Sequence, residues 1–353
     1  MAKKVSWLLL AVLTGIVIFA AVRPLRNPSW EQPAMGTQCH ITIAGKMSKR
    51  ELSILQEKID AALDDVNRQM SAWDPDSELS RFNRQRSTQP FTVSPEFAGV
   101  VERALFFAAE TGGAFDPTVK PLVDFWGFGA AENKTPVDEI LETVGWQNIE
   151  SRRDAPVASG ARKERDGGVA STLRKLHPGV QLDLGAIAKG YGVDCVAEII
   201  SAAGIKNFLV EIGGEIRATG KNRAGKLWAV GIETPVPGKP FGAEIHRTLR
   251  ISGAALATSG SYRQFRTDAA GTPYSHIIDP RTGAPAQSGI VSVTVIAERC
   301  MDADAAATAL LVMGPDAALQ WLESHPEFAA HFILHAGGAT FTTKQTLNFP
   351  EME

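Results

Sequence analysis

The stretch "GIVSVTVIAERCMDADAAATALLVMG", residues 289–314, decides the fold class. Its beginning, 289–297, is rich in β-branched apolar residues, which is typical of a buried strand, and its alanine-rich remainder is typical of a helix. A second helical pattern follows, and the strand-like segment "AAHFILHA" at 329–336 closes the unit. Strands and helices that mix without strict alternation favour an α+β fold, with mixed or antiparallel sheets and packed helices, over a doubly wound sheet.

The N-terminal half of the chain shows the same mixture of elements. The segment "GTQCHITIAG" (36–45) alternates like a strand. Apolar residues recur at three- and four-residue steps in "SKRELSILQEKIDAALDDVNRQM" (48–70), which predicts an amphipathic helix. Ser48 and Glu51 form a capping-box pattern at its start. Another helix is predicted within 94–113, because this segment begins with Ser-Pro and ends with two glycines.

Several shorter segments complete the prediction. Residues 23–34 have the composition of a linker, and "SRRDAPVASGARKERDGGVA" (151–170) is polar and aperiodic, which indicates a surface loop. The segments "STLRKL" and "VQLDL" flank a His-Pro-Gly turn signal, which predicts a hairpin around 177–179. The segments "NFLVEI" (207–212) and "LWAVGIET" (227–234) predict further strands.

Net charge and cysteine content argue against two classes of protein. The 353-residue chain has a formal net charge of −3, whereas a domain that binds nucleic acid carries a basic face, so no nucleic-acid partner is expected. Cys39, Cys195 and Cys300 are widely spaced and form no C-x-x-C pattern. We therefore expect neither a thiolate metal site nor a disulfide framework, and we interpret the three cysteines as small buried side chains.

The first 26 residues predict a membrane anchor. Two lysines precede an uncharged apolar run at 5–22, which as a helix spans about 27 Å and matches a bilayer core. A cleaved signal peptide, which usually has a shorter apolar region, and a buried core helix are the alternatives. We predict a retained export signal at 1–26 and a catalytic domain at 27–353 on the periplasmic face of the cytoplasmic membrane.

Asp304 and Thr308 are the first candidate metal ligands. They are four residues apart on the alanine-rich helix, so both side chains lie on one helix face. A carboxylate and a hydroxyl are the oxygen ligands that Mg²⁺ prefers. Alternatively, Asp304 only interacts with the helix dipole, and Thr308 bonds back to its own helix. The residues alone leave both interpretations open.

Two loop motifs carry further polar groups. In "TGGAFDPTVKP" (111–121), two glycines end a helix and Asp-Pro opens a turn, which predicts that the backbone of 114–116 lies in an exposed loop. The motif "SHIIDPRTGAP" (275–285) contains His276, which could accept a proton from an attacking hydroxyl. A plain turn and a structural histidine are the alternatives.

The stretch "LDLGAIAKGYGVD" (182–194) places Asp183 and Lys189 beside glycines in a helical pattern. Glycine in a helix is about 1 kcal/mol less favourable than alanine. Gly190 and Gly192 therefore indicate that something approaches this backbone closely.

Taken together, eight segments resemble the ApbE family in content and in order. Its members are FAD:protein FMN transferases, which are membrane-anchored flavin transferases. The resemblance covers nearly everything from Met35 to Gly314 and implies an ApbE-like, T-fold-like α+β architecture. The segments are "MGT" (35–37), "SAWDPDSELSRFN" (71–83), "GGAFDPTV" (112–119), "LDLGAIAKGYGVD" (182–194), "FLVEIGGEIRATG" (208–220), "ATSGSY" (257–262), "HIIDPRTGAP" (276–285) and "DADAAATALLVMG" (302–314).

The resemblance also implies which residues hold FAD and Mg²⁺. His276 matches the histidine that the family uses as a base, and Lys189 would offset pyrophosphate charge. Gly185, Gly190 and Gly192 would let the backbone approach the cofactor and the metal. The implied FAD contacts are Met35, Trp73, the backbone of Ala114, Phe115 and Asp116, and Asp183, Lys189 and Ile278; the implied Mg²⁺ ligands are the Ala186 carbonyl, Asp304 and Thr308.

Two positions depart from the family pattern. Trp73 stands where the family commonly has tyrosine; it keeps an aromatic face for stacking but lacks the phenolic oxygen. The usual lipid-attachment cysteine is absent near the N-terminus, so the apolar run at 5–22 would supply the anchor.

The implied reaction is Mg²⁺-dependent transfer of FMN from FAD to a Thr or Ser hydroxyl of a partner protein, with release of AMP. The family's acceptor pattern resembles D-x-x-[ST]-G-A-[ST]. The nearest internal stretch, "LRISGAA" (249–255), lacks the aspartate and the last hydroxyl residue. The expected acceptor is therefore another protein, a membrane electron-transfer subunit. An Mg²⁺-dependent FAD pyrophosphatase that uses water, and a non-catalytic periplasmic flavin-binding protein, are the alternatives.

Overall fold

The structure is a computed structural model that describes residues 25–130, 132–152, 171–236, 244–267, 271–337 and 340–353. Every strand pair within these ranges is antiparallel, which agrees with the predicted α+β class. The strands are β1 (Leu25–Arg26), β2 (Ser29–Ala34), β3 (Thr37–Ile43), β4 (Lys46–Met47), β5 (Phe91–Val93), β6 (Ile149–Arg152), β7 (Ser171–Lys175), β8 (Phe208–Ile212), β9 (Glu215–Thr219), β10 (Trp228–Glu233), β11 (Ile245–Ile251), β12 (Ala254–Gly260), β13 (Phe265–Thr267), β14 (Pro273–Ser275), β15 (Ile278–Asp279), β16 (Ala284–Pro285), β17 (Ile290–Ala297), β18 (Ala329–His335) and β19 (Phe341–Gln345).

Eight α-helices lie within the described ranges. They are α1 (Lys49–Met70), α2 (Glu78–Arg84), α3 (Pro95–Glu110), α4 (Lys120–Phe125), α5 (Val137–Leu141), α6 (Ala188–Ala202), α7 (Cys300–Met313) and α8 (Pro315–Ser324). Short 3₁₀ turns occupy Pro117–Val119 and Trp146–Asn148.

The largest sheet organises the core. Its strand order is β19-β18-β17-β12-β9-β8-β3-β2, and α6 and α7 contact both its strands and each other. Neighbouring strand residues face opposite sides: Ala257 and Phe332 lie in the main core with α7, whereas Leu256 and Ile333 lie in the cluster formed with the β10–β11 hairpin. The sheet is therefore covered on both faces, and α6 and α7 are held side by side on one of them.

The two predicted N-terminal helices are confirmed, together with the signals that start them. Ser48 Oγ accepts a hydrogen bond from the Glu51 N–H at 3.1 Å, and the Glu51 carboxylate accepts one from the Ser48 N–H at 2.7 Å. This reciprocal pair is the capping box that begins α1. Ser94 Oγ accepts from the Phe97 N–H at 3.3 Å at the start of α3.

The predicted linker at 23–34 is wrong for its described part. Residues 25–34 include β1 and β2, and β2 pairs along its whole length with β3 at the edge of the main sheet. An edge strand keeps one side in solvent and tolerates a proline such as Pro33. Its polar alternating composition therefore resembles that of a linker.

The predicted hairpin around 177–179 is also wrong. Strand β7 pairs with β5 and β6 instead of with the following segment. The Asn83 side chain takes up both backbone groups of Leu182: it accepts from the Leu182 N–H at 2.7 Å and donates to the Leu182 carbonyl at 2.8 Å. An amide side chain from α2 thus replaces the partner strand that the pattern predicts.

Two predictions fall on residues outside the described ranges. These are the membrane anchor at 1–26, apart from its last two residues, and the polar loop at 151–170, apart from the last two residues of β6. Within the described ranges, no helix has the length and hydropathy needed to cross a bilayer. The three cysteines are free; Cys39 and Cys300 are buried and Cys195 is partly buried.

Candidate active site

The N-terminus of α7 is fixed by a buried carboxylate from α6. Asp194 accepts hydrogen bonds from the Cys300 and Met301 N–H groups, each at 3.0 Å. It also accepts one from the Arg217 guanidinium of β9 at 2.6 Å. A carboxylate at this end satisfies the free N–H groups and complements the helix dipole. This contact sets the position from which α7 presents Asp304 and Thr308.

Glycine allows α6 and α7 to touch. A Cβ added at Gly190 would lie 2.4 Å from the Cys300 carbonyl oxygen, and one added at Gly192 would lie 2.7 Å from the Met35 sulfur. The predicted close approach is therefore real, but at these two glycines the neighbours are protein atoms of α7 and of the β2–β3 turn. The interpretation that Gly190 and Gly192 make room for a cofactor and a metal is corrected on this point.

Gly190 joins α6 to Asp304. The Gly190 N–H donates to Asp304 Oδ2 at 3.0 Å. Gly190 is the third residue of α6, and the first N–H groups of a helix have no partner within it. The Asp304 carboxylate therefore satisfies a free N–H of the first turn, and Ala186 lies just before this turn.

Lys189 lies between two buried carboxylates. Its Nζ donates to Glu215 Oε1 at the start of β9, and Asp304 interacts electrostatically with both residues. Burial alone would lower the pKa of Lys189, but Glu215 and Asp304 raise it above its usual value. Burial raises the pKa of Glu215 to about 7, against the opposing effect of Lys189. Burial likewise raises the pKa of Asp304.

Thr308 is joined to the main sheet through a hydroxyl pair. Its Oγ1 lies 3.0 Å from Ser259 Oγ on β12. Asp304 is almost fully buried and Thr308 is partly buried. Since both lie on α7, the prediction that they share a helix and project from it together is confirmed.

The loop at 114–116 is buried, so the prediction of an exposed loop is wrong. Ala114, Phe115 and Asp116 are each less than a tenth exposed. The Asp116 carboxylate accepts from the Thr118 N–H at 2.8 Å, the Thr118 hydroxyl at 2.6 Å and the Trp146 N–H at 2.8 Å. Three hydrogen bonds therefore hold the Asp116 carboxylate inside the protein.

Asp183 connects this loop to α6. Its N–H donates to the Pro117 carbonyl at 2.7 Å, and its Oδ1 accepts from the Gly185 N–H at 2.7 Å. Burial raises the pKa of Asp183, and the hydrogen bond from Gly185 opposes that shift. One carboxylate oxygen therefore holds the turn that carries Ala186.

His276 precedes β15 in a defined orientation. Its Nδ1 lies 3.2 Å from the Gln264 carbonyl oxygen, and its ring meets the Phe128 ring edge-to-face. An Nδ1–H that donates to this carbonyl leaves Nε2 as the proton acceptor. Burial lowers the pKa of His276, and the positive charge of Lys189 lowers it further. Both effects favour the neutral imidazole, whereas the contact with the Gln264 carbonyl opposes them.

A cavity of about 550 Å³ adjoins the His276 segment. Its lining includes Trp126, Tyr274 and Asp279, and Trp126 and Tyr274 stack edge-to-face with their ring centroids 5.2 Å apart. Ligand sites in proteins have volumes of this order. The cavity therefore has the volume of a ligand site and is lined by residues on either side of His276 in the sequence, but not by His276 itself.

Comparison with known proteins assigns the family. The family model described as "ApbE family" matches residues 35–332. The chain belongs to the ApbE family. A curated FAD:protein FMN transferase of Vibrio cholerae is 40% identical over 91% of this chain and 91% of its own length. A second, from Haemophilus influenzae, is 35% identical over 99% of this chain and 98% of its own length.

Solved structures of the ApbE family agree with the fold. The structure of the flavin transferase ApbE from Vibrio cholerae superposes with a TM-score of 0.76 at 36% identity, covering 92% of this chain and 98% of that one. The predicted ApbE-like α+β architecture is therefore confirmed, as is the prediction that the chain is an enzyme of the flavin-transferase class.

The residues that the ApbE resemblance implies fall into two groups. Asp183, Ala186, Lys189, Asp304 and Thr308 are joined through α6 and α7 as described above. Outside this group, Trp73 is 73% exposed, and within the described ranges no ring or cation stacks on it.

Met35 and Ile278 also play structural roles. Met35 has a positive φ of 51° in the β2–β3 turn, and its sulfur contacts α6 near Gly192. Ile278 is buried in a small core with Leu122 and Ile140. The Ile278 side chain is thus occupied by packing, so only its backbone can serve a ligand.

Three residues that hold the site together were missed by sequence reasoning. Glu215 pairs with Lys189, Asp194 fixes α7, and Ser259 meets Thr308. All three lie inside segments that carry the ApbE resemblance, namely 208–220, 182–194 and 257–262. The signal that could have found Glu215 is a carboxylate directly after two glycines that end an apolar strand.

Proposed function

We propose that this protein transfers FMN from FAD to the hydroxyl of a threonine or serine in a partner protein and releases AMP, in an Mg²⁺-dependent reaction. The observation that carries the proposal is the arrangement around Lys189. The charge of this lysine and burial both lower the pKa of His276, and Lys189 itself lies against a buried carboxylate pair. Membership of the ApbE family supports the choice of FAD as the substrate.

The donor set suits Mg²⁺. Asp304 and Thr308 provide a carboxylate and a hydroxyl, and the Ala186 carbonyl, just before the first turn of α6, is the third proposed oxygen ligand. Mg²⁺ prefers such oxygen ligands and retains waters and substrate phosphates in its remaining positions. When bound, it would withdraw charge from the phosphate oxygens of FAD.

In the proposed reaction, the acceptor hydroxyl oxygen forms a bond to the FMN-side phosphorus, and the bond from that phosphorus to the bridging oxygen breaks. The electron pair leaves with AMP. His276 takes the hydroxyl proton at Nε2, and Lys189 offsets negative charge on the phosphates. The Gln264 carbonyl, which fixes Nδ1 of His276, holds the ring in the orientation that this transfer needs.

The proposed acceptor is a separate protein that carries a D-x-x-[ST]-G-A-[ST]-like segment, such as a membrane electron-transfer subunit. The placement of the nearest internal stretch supports this choice, since Leu249 and Ile251 are buried in β11. We further propose that the enzyme acts at the periplasmic face of the cytoplasmic membrane, where the predicted N-terminal anchor would hold it.

Mass spectrometry of a purified acceptor tests the proposal. The acceptor is incubated with the protein, FAD and Mg²⁺, and a matched acceptor has alanine in place of the target hydroxyl residue. We expect the first acceptor to gain one FMN moiety and the second to remain unmodified. Free FMN and AMP without a modified acceptor would support the pyrophosphatase instead, and intact FAD in both reactions would support a flavin-binding protein.

A further inference from the structure

Glu215 has one carboxylate oxygen that is buried and takes no part in its contact with Lys189. The residue is 3% exposed. Its Oε1 accepts from Lys189 Nζ, whereas its Oε2 is inaccessible to solvent and has no hydrogen-bond partner among the described residues. Buried carboxylate oxygens are rarely left without a partner, because the lost hydration is not replaced.

The charges around Glu215 indicate what is missing. Asp304 lies close enough to raise the pKa of Glu215 by repulsion, and Lys189 is the cation that faces both carboxylates. Two carboxylates thus face one lysine, and burial raises the pKa of both, so that a proton or a second cation is favoured beside them. A buried excess charge is strongly unfavourable unless a counter-ion compensates it.

The contact with Lys189 does not explain this arrangement alone. An anchor for the lysine needs one carboxylate, and the Glu215 Oε1 contact provides it. The second carboxylate and the unpartnered Oε2 remain after that role is filled. Asp304 is one of the proposed Mg²⁺ ligands, and the two carboxylates are held by adjacent residues of α6, Glu215 by Lys189 and Asp304 by the Gly190 N–H.

We propose that Glu215 is a further carboxylate of the divalent-cation site, in which Oε1 holds Lys189 and Oε2 serves the cation or a water bound to it. This inference rests on the Mg²⁺ dependence of the proposed function. It assigns Glu215 a role as a positioning residue in the metal site, in addition to Asp304, Thr308 and Ala186.

Direct titration with Mn²⁺, followed by electron paramagnetic resonance in the absence of FAD and acceptor, tests the inference. Mn²⁺ alone is the probe, so the readout does not depend on catalysis. Mutation of a residue that contacts the ligands of a metal typically lowers the affinity for that metal by about 10–100-fold. We expect Glu215→Gln to weaken Mn²⁺ binding by at least about tenfold.

Two matched variants separate contact from charge. Glu211→Gln removes a carboxylate charge from the same β8–β9 hairpin while a side-chain oxygen still accepts from the Gly214 N–H. We expect it to change Mn²⁺ affinity by less than about threefold, as befits a more distant charge. Glu215→Asp keeps the charge but withdraws the oxygens by one methylene, and we expect it to weaken Mn²⁺ binding as well. Circular dichroism checks that each variant is folded.

The outcomes are distinct. Equal weakening by Glu215→Gln and Glu211→Gln, with wild-type affinity in Glu215→Asp, would overturn the inference and leave Glu215 as an anchor for Lys189. FMN transfer could then still be Mg²⁺-dependent, as the acceptor assay would report. If the wild-type protein binds no Mn²⁺, both the inference and the proposed metal dependence are overturned.

Discussion

Lys120, which is buried, and Lys189, which is partly buried, bind their carboxylate partners in different ways. Lys120 donates to both oxygens of Asp124, each at 2.5 Å, within the single helix α4. Lys189 faces two carboxylates from two different elements and is bonded to only one of them. Asp183 also interacts electrostatically with Lys120 and Asp124, so each lysine faces two carboxylates. The difference lies in the contacts: Lys120 bonds to both oxygens of Asp124, whereas Glu215 Oε2 has no hydrogen-bond partner among the described residues.

This difference separates a structural ion pair from a site prepared for a ligand. At both lysines burial reduces solvation, so a neighbouring group of opposite charge must compensate each charge. At Lys120 both oxygens of the partner carboxylate are used. At Lys189 one oxygen of the partner Glu215 has no partner among the described residues, and the candidate metal ligand Asp304 acts on the same pair. Substitutions should therefore affect stability at the first lysine and chemistry at the second.

The largest expected effect comes from His276, which shares the field of Lys189. We expect His276→Ala to slow FMN transfer by roughly 10²–10⁴-fold, the usual contribution of a general base. FAD affinity should change much less, because binding depends on other groups. Single-turnover transfer and FAD titration of the same variant measure the two effects separately.

The pH dependence of the wild-type protein tests the same role. The base must be unprotonated, and burial lowers the pKa of His276 below its usual 6.5. Transfer should therefore hold steady as the pH falls to about 6.5 and decline only below that value. If His276→Asn transferred FMN at the wild-type rate with an unchanged pH profile, His276 would only orient the loop that follows it.

Asp304→Asn should show the second largest effect on FMN transfer, and it tests the comparison of Lys189 with Lys120 directly. The asparagine oxygen can still accept from the Gly190 N–H, but the carboxylate charge is lost. We expect FMN transfer to fall by roughly 10²–10³-fold, as for other groups that stabilise charge in a transition state. The free energy of unfolding should change by only about 1 kcal/mol, because one lysine then faces one carboxylate.

Asp124→Asn should reverse that pattern. It leaves Lys120 charged and buried without its carboxylate, so we expect the free energy of unfolding to fall by about 3–5 kcal/mol. The close packing around this residue adds to the effect, since a Cβ added at Gly129 would overlap Asp124 Oδ1. Urea unfolding of the two asparagine variants, measured side by side, checks the contrast. Equal stability losses at Asp304 and Asp124 would break the distinction between the two lysines.

The same contrast explains how much of the molecule the sequence could predict. The helix at 48–70 was predictable because a local capping box starts it, and Asp304 and Thr308 could be placed on one helix face by their spacing. The pairing of Lys189 with Glu215 could not be predicted, because Lys189 lies on helix α6 and Glu215 on strand β9. The hairpin at 177–179 failed for a similar reason: the group that replaces its partner strand, Asn83, lies about a hundred residues away in the chain.

Burial was the other property that local pattern did not predict. The turn signals at 112–117 indicate a loop correctly, but they do not reveal that Thr111, Thr118 and the Trp146 backbone enclose it. Residues 25–34 resemble a linker because an edge strand needs apolar contacts on one side only. In both cases the deciding contacts come from elements that are distant in sequence.

The smallest effect is expected from removal of the predicted anchor, because Lys120 and Lys189 both lie outside it. A variant of the chain that begins at Asn27 loses the two-residue strand β1 but keeps two hydrogen bonds between Asn27 and Gly45. The Asn27 N–H donates to the Gly45 carbonyl at 2.7 Å, and the Asn27 side chain accepts from the Gly45 N–H at 3.0 Å. It also keeps β2, whose Trp30 packs against the core around α6. We therefore expect unchanged FMN transfer and a soluble protein.

A second variant that begins at Met35 provides the control, because it deletes the edge strand and should unfold at lower denaturant concentration. If the Asn27 variant misfolds or binds no FAD, residues 1–26 belong to the catalytic domain, and the predicted boundary at 27 is wrong.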